Sequence, residues 1–245
     1  MSNLRRAIYG QKHSTPSGGF TPVQIGNVIS HFEFNDTASY DFDTSTSVVT
    51  SLNGPNNGTI SGVVVNSDVT TPGSSENVIG TDANGDKEIY FWGGGSSNNI
   101  YVNTGISLTN WSAKFRTKHR VAIGASYDRM LGTRSYYFEL VFNNSSQIWF
   151  YDPTGGGWNN TGVSIPNDGE FHDLDWTYQN SPRQLTIYVD GVQVYQSSSR
   201  GRPLVSSSYY WVCGSQDSRN NVQYLNRHLL YNITLTPAEI LANLG

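Results

Sequence analysis

The chain has 245 residues and a formal net charge of −4; 36% of its residues are hydrophobic, 13% aromatic and only 14% charged. Long amphipathic helices need Lys, Glu, Ala and Leu in numbers this composition lacks, and a net-negative chain is a poor default partner for nucleic acid. The single cysteine, Cys213, excludes an internal disulfide and a thiolate-rich metal site, and no run reaches the roughly 18 apolar residues of a membrane-spanning helix.

Residues 1–27 read as an N-terminal arm. The first 32 residues carry Arg5, Arg6 and Lys12 and no acid, so this end is +3 while the remainder is −7. Ser14-Thr15-Pro16-Ser17-Gly18-Gly19 has no periodicity and is a flexible stretch. With Tyr9 and Phe20 beside them, Arg5, Arg6 and Lys12 either tether the protein to a neighbour in an assembly or belong to a solvated, disordered tail. Met1 to Gly10 lacks the apolar run of a signal peptide, so synthesis in the cytosol is expected.

Aromatic residues, turn formers and few charges predict many short strands, and the length suits one all-β sandwich over residues 28–245. Val28-Ile29-Ser30-His31-Phe32-Glu33-Phe34 opens it. Val63-Val64-Val65 is a short buried strand, and residues 66–87 are expected to form one long polar loop. Glu88 to Trp92 and Asn99 to Val102 are further strands. Tyr127, Asp128 and Arg134 are placed in a loop before the next strand. Phe138, Leu140 and Phe142 share one face, a turn follows at Asn143–Ser146, and Ile148 and Phe150 return on one face. The clearest local signal is Leu185 to Val194: Leu185, Ile187 and Val189 alternate, Asp190-Gly191 suits a two-residue turn, and Val192 and Val194 are predicted to face Val189 and Ile187. Thr236-Pro237-Ala238-Glu239 is a capping box with proline at the first helical position, which predicts one short closing helix.

Five segments, in chain order, carry a family resemblance. They are Ser30-His31-Phe32-Glu33-Phe34-Asn35-Asp36; Asn56-Asn57-Gly58-Thr59-Ile60-Ser61-Gly62; Phe171 to Tyr178 (FHDLDWTY); Leu185 to Val194 (LTIYVDGVQV); and Leu230 to Ile240 (LYNITLTPAEI). Together they resemble the laminin-G-like branch of the concanavalin A-like jelly rolls. The resemblance implies an all-β, two-sheet antiparallel jelly-roll sandwich with a short C-terminal helix. Some relatives hold calcium. Here the acidic pair that precedes the final Tyr-Asn in such relatives is replaced by Asn226 and Arg227, which weakens the carry-over of that site; no cofactor is expected, with calcium left as the alternative.

The residues that could carry chemistry are few. Glucanases of this fold need a nucleophile and an acid on one strand, whereas Glu170, Asp173 and Asp175 have the wrong spacing, so no catalytic residue and no enzyme is expected. The five histidines show no i, i+2 or i, i+4 pairing, and Asp82-Ala83-Asn84-Gly85-Asp86 lacks the later glutamate of a calcium loop. A glycan surface needs an aromatic ring for the sugar's C–H face with amides and carboxylates for its hydroxyls. Asp152 to Asn160 offers this on a glycine-bearing loop, with Trp158, Asn159, Asn160 and Asp152 as contacts and Tyr127 and Arg134 nearby; the alternative is that Trp158 folds back to cap the sandwich edge. Trp111, Trp149, Trp176 and Trp211 lie within strands and are assigned to core packing. The expectation is a non-enzymatic virion-type structural or adhesion protein, a capsid decoration or tail component. Its partners would be other virion or scaffold proteins through the arm, in an oligomeric assembly, with an added surface for cell-surface glycan and no nucleic-acid or membrane contact. A free carbohydrate-binding lectin module is the alternative, and a glycoside hydrolase the third reading.

Overall fold

The computed structural model describes residues 20–36, 38–40, 47–61, 64–66, 77–81, 87–92, 99–102, 105, 107–119, 127–133, 138–143, 147–153, 156–204, 210–214 and 222–244. In chain order the strands are β1 (Val28–Glu33), β2 (Val48–Val49), β3 (Gly58–Ser61), β4 (Val64–Asn66), β5 (Asn77–Thr81), β6 (Lys87–Trp92), β7 (Asn99–Val102), β8 (Trp111–His119) and β9 (Tyr127–Thr133). They continue as β10 (Glu139–Asn143), β11 (Gln147–Asp152), β12 (Gly157–Ser164), β13 (His172–Asn180), β14 (Arg183–Val189), β15 (Val192–Ser197), β16 (Tyr210–Gly214) and β17 (Val222–Tyr231), before helix α1 (Pro237–Ala242).

These strands form two sheets. One has nine strands in the order β15-β14-β13-β8-β17-β6-β5-β4, with β1 also pairing β17; the other has eight, in the order β12-β11-β10-β9-β16-β7-β3-β2. Every described pairing is antiparallel except β4 with β5. The expected two-sheet sandwich is therefore the observed one.

Alternation decides which side chains meet between the sheets. Trp111, Ala113 and Phe115 of β8, Leu174, Trp176 and Tyr178 of β13, and Leu185, Ile187 and Val189 of β14 join one core with Leu140, Phe142, Ile148 and Phe150 from β10 and β11. Trp111 stacks on Tyr178 with ring centroids 5.9 Å apart and tilts against Phe138 at 5.5 Å. Burying each such large side chain contributes about 1.5–3 kcal/mol.

A second, smaller core lies on the back of the nine-stranded sheet. Val28, Tyr188, Leu229, Tyr231, Leu235 and Ile240 form it, with Phe20 and Val23 packed against it. Helix α1 is fixed there by its predicted capping box: the Thr236 hydroxyl accepts from the Glu239 N–H, and the Glu239 carboxylate accepts from the Thr236 N–H. The backbone N–H of Val23 donates to Asn243 Oδ1 at 3.0 Å, and Gln24 bonds Glu239. Residues 20–27, counted in the expected arm, thus lie along the sandwich, and Phe20 stacks on the Arg227 guanidinium at 3.7 Å. Arg5, Arg6, Tyr9 and Lys12 lie outside the described residues.

Three predicted segments differ. β5 falls inside the expected loop 66–87 because it pairs β6 through Val78↔Tyr90 and Ile79↔Ile89. Tyr127 and Asp128 open strand β9 rather than lying in a loop. At 185–194 the reversal is as tight as predicted, with Asp190 and Gly191 at φ 49 and 74 and Val189 opposite Val192. A register shift then puts Tyr195, not Val194, opposite Ile187.

Candidate functional site

The sheets' outer faces are unlike each other, and the difference locates the site. On the nine-stranded sheet the outward residues are charged and buried. β8 supplies Lys114 and Arg116, β13 supplies Asp173 and Asp175, β17 supplies Arg227, and β1 supplies His31 and Glu33, all at most 6% exposed. The register aligns Arg227 with Glu33 on one side and Arg116 on the other, and Arg116 with Asp173. Lys114 Nζ lies 3.0 Å from Asp173 and 3.2 Å from Asp175, Arg116 lies 3.3 Å from Asp173, and Arg227 Nε donates to Glu33. Asn53 donates to His31 Nδ1, so the His31 Nε2–H donates to Glu33 at 2.9 Å.

Burial works to raise the Asp173 carboxyl, but Lys114, Arg116 and Arg227 outweigh it and hold the group below the usual carboxylate range. Burial pushes Asp175 up to about 6 against the opposing pull of Lys114. These two acids share a strand face, as the sequence implied, yet they are sealed beneath the sheet's cover and ion-paired. Glu170 sits apart, exposed on the loop before β13. The arrangement cannot present two carboxylates to one glycosidic bond.

The eight-stranded sheet is open at its β11–β12 edge. Ile148 and Phe150 of β11 enter the core, so Gln147, Trp149 and Tyr151 project from the outer face, each partly exposed. β12 brings Trp158 opposite Tyr151 and Asn160 opposite Trp149. Tyr151 and Trp158 pack edge to face with centroids 5.3 Å apart and planes at 61°. That geometry steadies both rings without covering both faces of either. Gln147 Oε1 accepts from Trp149 Nε1 at 3.4 Å and from Asn160 Nδ2 at 3.3 Å, while Asn160 Oδ1 accepts from the Gly162 N–H. The two contacts to Gln147 are long and lie near solvent, so a hydroxyl can take their place. Asn159 lies opposite Phe150, and its Nδ2 donates to the Gly157 carbonyl at 2.7 Å.

The expected contacts divide accordingly. Trp158, Asn159 and Asn160 stand on a strand rather than a loop, because β11 offers them a complete ladder. Asp152 is fully buried: it accepts from Arg183 at 2.6 Å, from Arg202 at 3.1 Å and from the Gly201 N–H at 3.1 Å, so no sugar hydroxyl reaches it. It clamps the end of β11 to β14, in the other sheet. Tyr127 begins β9, its side chain outside the description, and Arg134, Trp211 and the 82–86 loop also fall there or beyond. Trp111 and Trp176 are core residues as assigned, whereas Trp149 is not; strand membership alone does not tell the inner face from the outer. The signal for Trp149 was available in the alternation with Ile148 and Phe150. Among the described residues no group of His, Cys, Asp and Glu is arranged to hold a metal ion.

A family model described as the concanavalin A-like lectin/glucanases superfamily matches residues 94–241. No curated protein matches the sequence. Solved structures of similar fold include domain 4 of AbnA, a GH43 extracellular arabinanase from Geobacillus stearothermophilus, in complex with arabinotriose; the TM-score is 0.57 at 14% identity, covering 89% of this chain and 98% of that one. Trypanosoma rangeli sialidase matches at 0.58 and 12% identity over 98% of this chain, which spans only 38% of the sialidase. The binding domain of botulinum neurotoxin DC, in complex with SialylT, matches at 0.59 and 10% identity, covering 89% of this chain and 50% of that one. The expectation of a virion-type structural protein is corrected by these neighbours, which are a domain of an arabinanase, a sialidase and the binding domain of a toxin.

Proposed function

The chain belongs to the concanavalin A-like lectin/glucanases superfamily, and on that premise we propose that it is a non-catalytic carbohydrate-binding module whose platform is the outer face of the β11–β12 hairpin. The observation that carries this reading is the alternation of Gln147, Trp149 and Tyr151 on β11, set against Trp158 and Asn160 on β12. Partly exposed rings offer flat apolar faces to the axial C–H bonds of a sugar, and the neighbouring amides offer donors and acceptors to its hydroxyls. Similar structures in complex with arabinotriose or SialylT support the reading at the level of fold. Non-catalytic action is supported by Asp173 and Asp175, whose carboxyls are buried in ion pairs away from this face.

The test is a glycan array followed by calorimetry on the best ligand. Trp149→Ala and Trp158→Ala are each expected to weaken binding about 30-fold, the effect of losing an aromatic hot spot of about 2 kcal/mol. Undiminished affinity in the double variant would refute the platform. Release of reducing ends from any bound glycan would refute the non-catalytic reading.

A further inference from the structure

Where β13 turns into β14, three segments converge on an open surface cavity of about 400 Å³ lined by Thr109, Asn110, Gln179, Asn180 and Ser181, most of them exposed, with Ile233 and Thr234 at its base. That volume is at the lower end of small-molecule sites, which run from about 300 to 1,000 Å³. Its lining residues belong to the nine-stranded sheet and its adjoining turns, and none belongs to β11 or β12.

The walls are tied together by bonds between distant parts of the chain. The Asn180 N–H donates to Asn110 Oδ1 at 2.9 Å, the Thr234 hydroxyl donates to the Tyr178 carbonyl at 2.7 Å, and Ser112 bridges the Ile233 carbonyl and the Leu235 N–H. Each lining amide is anchored at one end only. Asn110 uses its oxygen for the Asn180 N–H, and Asn180 uses its oxygen for the Tyr178 hydroxyl at 3.0 Å. Gln179 uses its nitrogen for the Ser181 carbonyl at 2.7 Å. The backbone partners of Asn110 and Gln179 also fix how those two amides are turned, and the Tyr178 hydroxyl donates to Asn180 as placed. Among the described residues nothing engages the opposite ends: the Nδ2 donors of Asn110 and Asn180, and the Oε1 acceptor of Gln179. The hydroxyls of Thr109 and Ser181 can both donate and accept.

We propose that this cavity is a second binding site, specific for a neutral polyhydroxylated ligand about the size of one sugar ring. The two fixed N–H donors of Asn110, the Asn180 amide, the fixed acceptor of Gln179 and two adaptable hydroxyls match a run of vicinal hydroxyl groups, each of which both donates and accepts. Among the described residues no charged side chain lines the cavity, so none of them compensates a carboxylate or an ammonium group there. Among the described residues no aromatic ring lines it either, so recognition by them is through hydrogen bonds and differs in kind from stacking on the hairpin. The inference does not depend on the hairpin platform being correct.

The experiment follows backbone and side-chain amide NMR signals while the protein is titrated with neutral mono- to trisaccharides, with glucuronate as a charged control. In the Trp149→Ala/Trp158→Ala variant, the Asn110, Asn180 and Gln179 side-chain signals are expected to shift saturably with at least one neutral sugar. Thr109→Trp, at an exposed position, should fill the cavity and weaken that response at least tenfold, while unchanged thermal unfolding verifies the fold. Absence of any saturable shift at these amides overturns the proposal. So does a cavity response that vanishes with the two tryptophans, or one that is as strong for glucuronate as for glucose. Cavity shifts without any indole shift at Trp149 or Trp158 in the unaltered protein would support this site and count against the hairpin platform instead.

Discussion

The outer face of the nine-stranded sheet and that of the eight-stranded sheet are made of strands of similar length, yet they have opposite fates. The first projects Lys114, Arg116, Asp173, Asp175 and Arg227, and each is at most 6% exposed, with residues 20–27 and α1 packed across part of that side. The second, at its β11–β12 edge, projects Trp149, Tyr151 and Trp158, which stay partly in contact with water. Polarity alone would have exchanged them, leaving the charges wet and the rings dry. What decides is the cover. Charges can be dry when they are paired in register, and rings can stay partly exposed on a sheet's outer face.

That contrast yields variants of decreasing effect. Arg227→Met keeps the stem's bulk but leaves Glu33 buried beside one histidine, and is expected to cost about 3–5 kcal/mol in urea unfolding. Sugar affinity of the folded fraction should be unchanged; a loss of affinity at intact stability would mean that the covered face, not the open one, meets ligand. Ile240→Ala removes the helix residue that is fully buried against the sheet and should cost about 2–5 kcal/mol. Thr236→Ala removes only the cap, and about 1 kcal/mol with it. If both helix variants unfold at the same denaturant concentration as the unaltered chain, the helix contributes nothing to the cover.

The smallest effect is expected with pH. Burial works to lower the His172 pKa, but Asp190 at 2.8 Å and Asp168 at 3.1 Å overcome it and raise the group above 6.5. The folded state therefore favours the protonated ring. Its contribution to stability is fully present below about pH 6.5 and is lost as pH rises through the higher folded value. Thermal melts from about pH 5.5 to 8.5 should show this decline, and His172→Gln should flatten it. A slope identical in both proteins would remove His172 as its source.

The sequence made the hairpins legible because short-range pattern and turn chemistry coincide there. Asp190-Gly191 accepts positive φ at both positions, and Phe138, Leu140, Ile148 and Phe150 alternate without interruption. β5 was hidden because Asn77 to Thr81 has neither strong alternation nor bulk; its strand character comes from pairing with β6. The platform was half legible. Trp158, Asn159 and Asn160 were selected for their residue types, but Trp149 and Tyr151 were not, because which face of a strand meets the core is settled by the opposing sheet. Asp152 was misread for a related reason. Its partners Arg183 and Arg202 lie 31 and 50 residues away, and no local pattern announces a carboxylate held at that separation. The amide-lined cavity escaped notice because its three segments are far apart in the chain.

The Asp152 clamp also bears on how a ligand would be received. Tyr151 immediately precedes a carboxylate locked to Arg183 and Arg202, and its ring is steadied by Trp158. The stacking surface therefore keeps its shape in the absence of sugar, and docking should need little rearrangement. Crystal structures of the free and loaded protein would then superpose at these two rings to within about 1 Å, the behaviour of a rigid receptor.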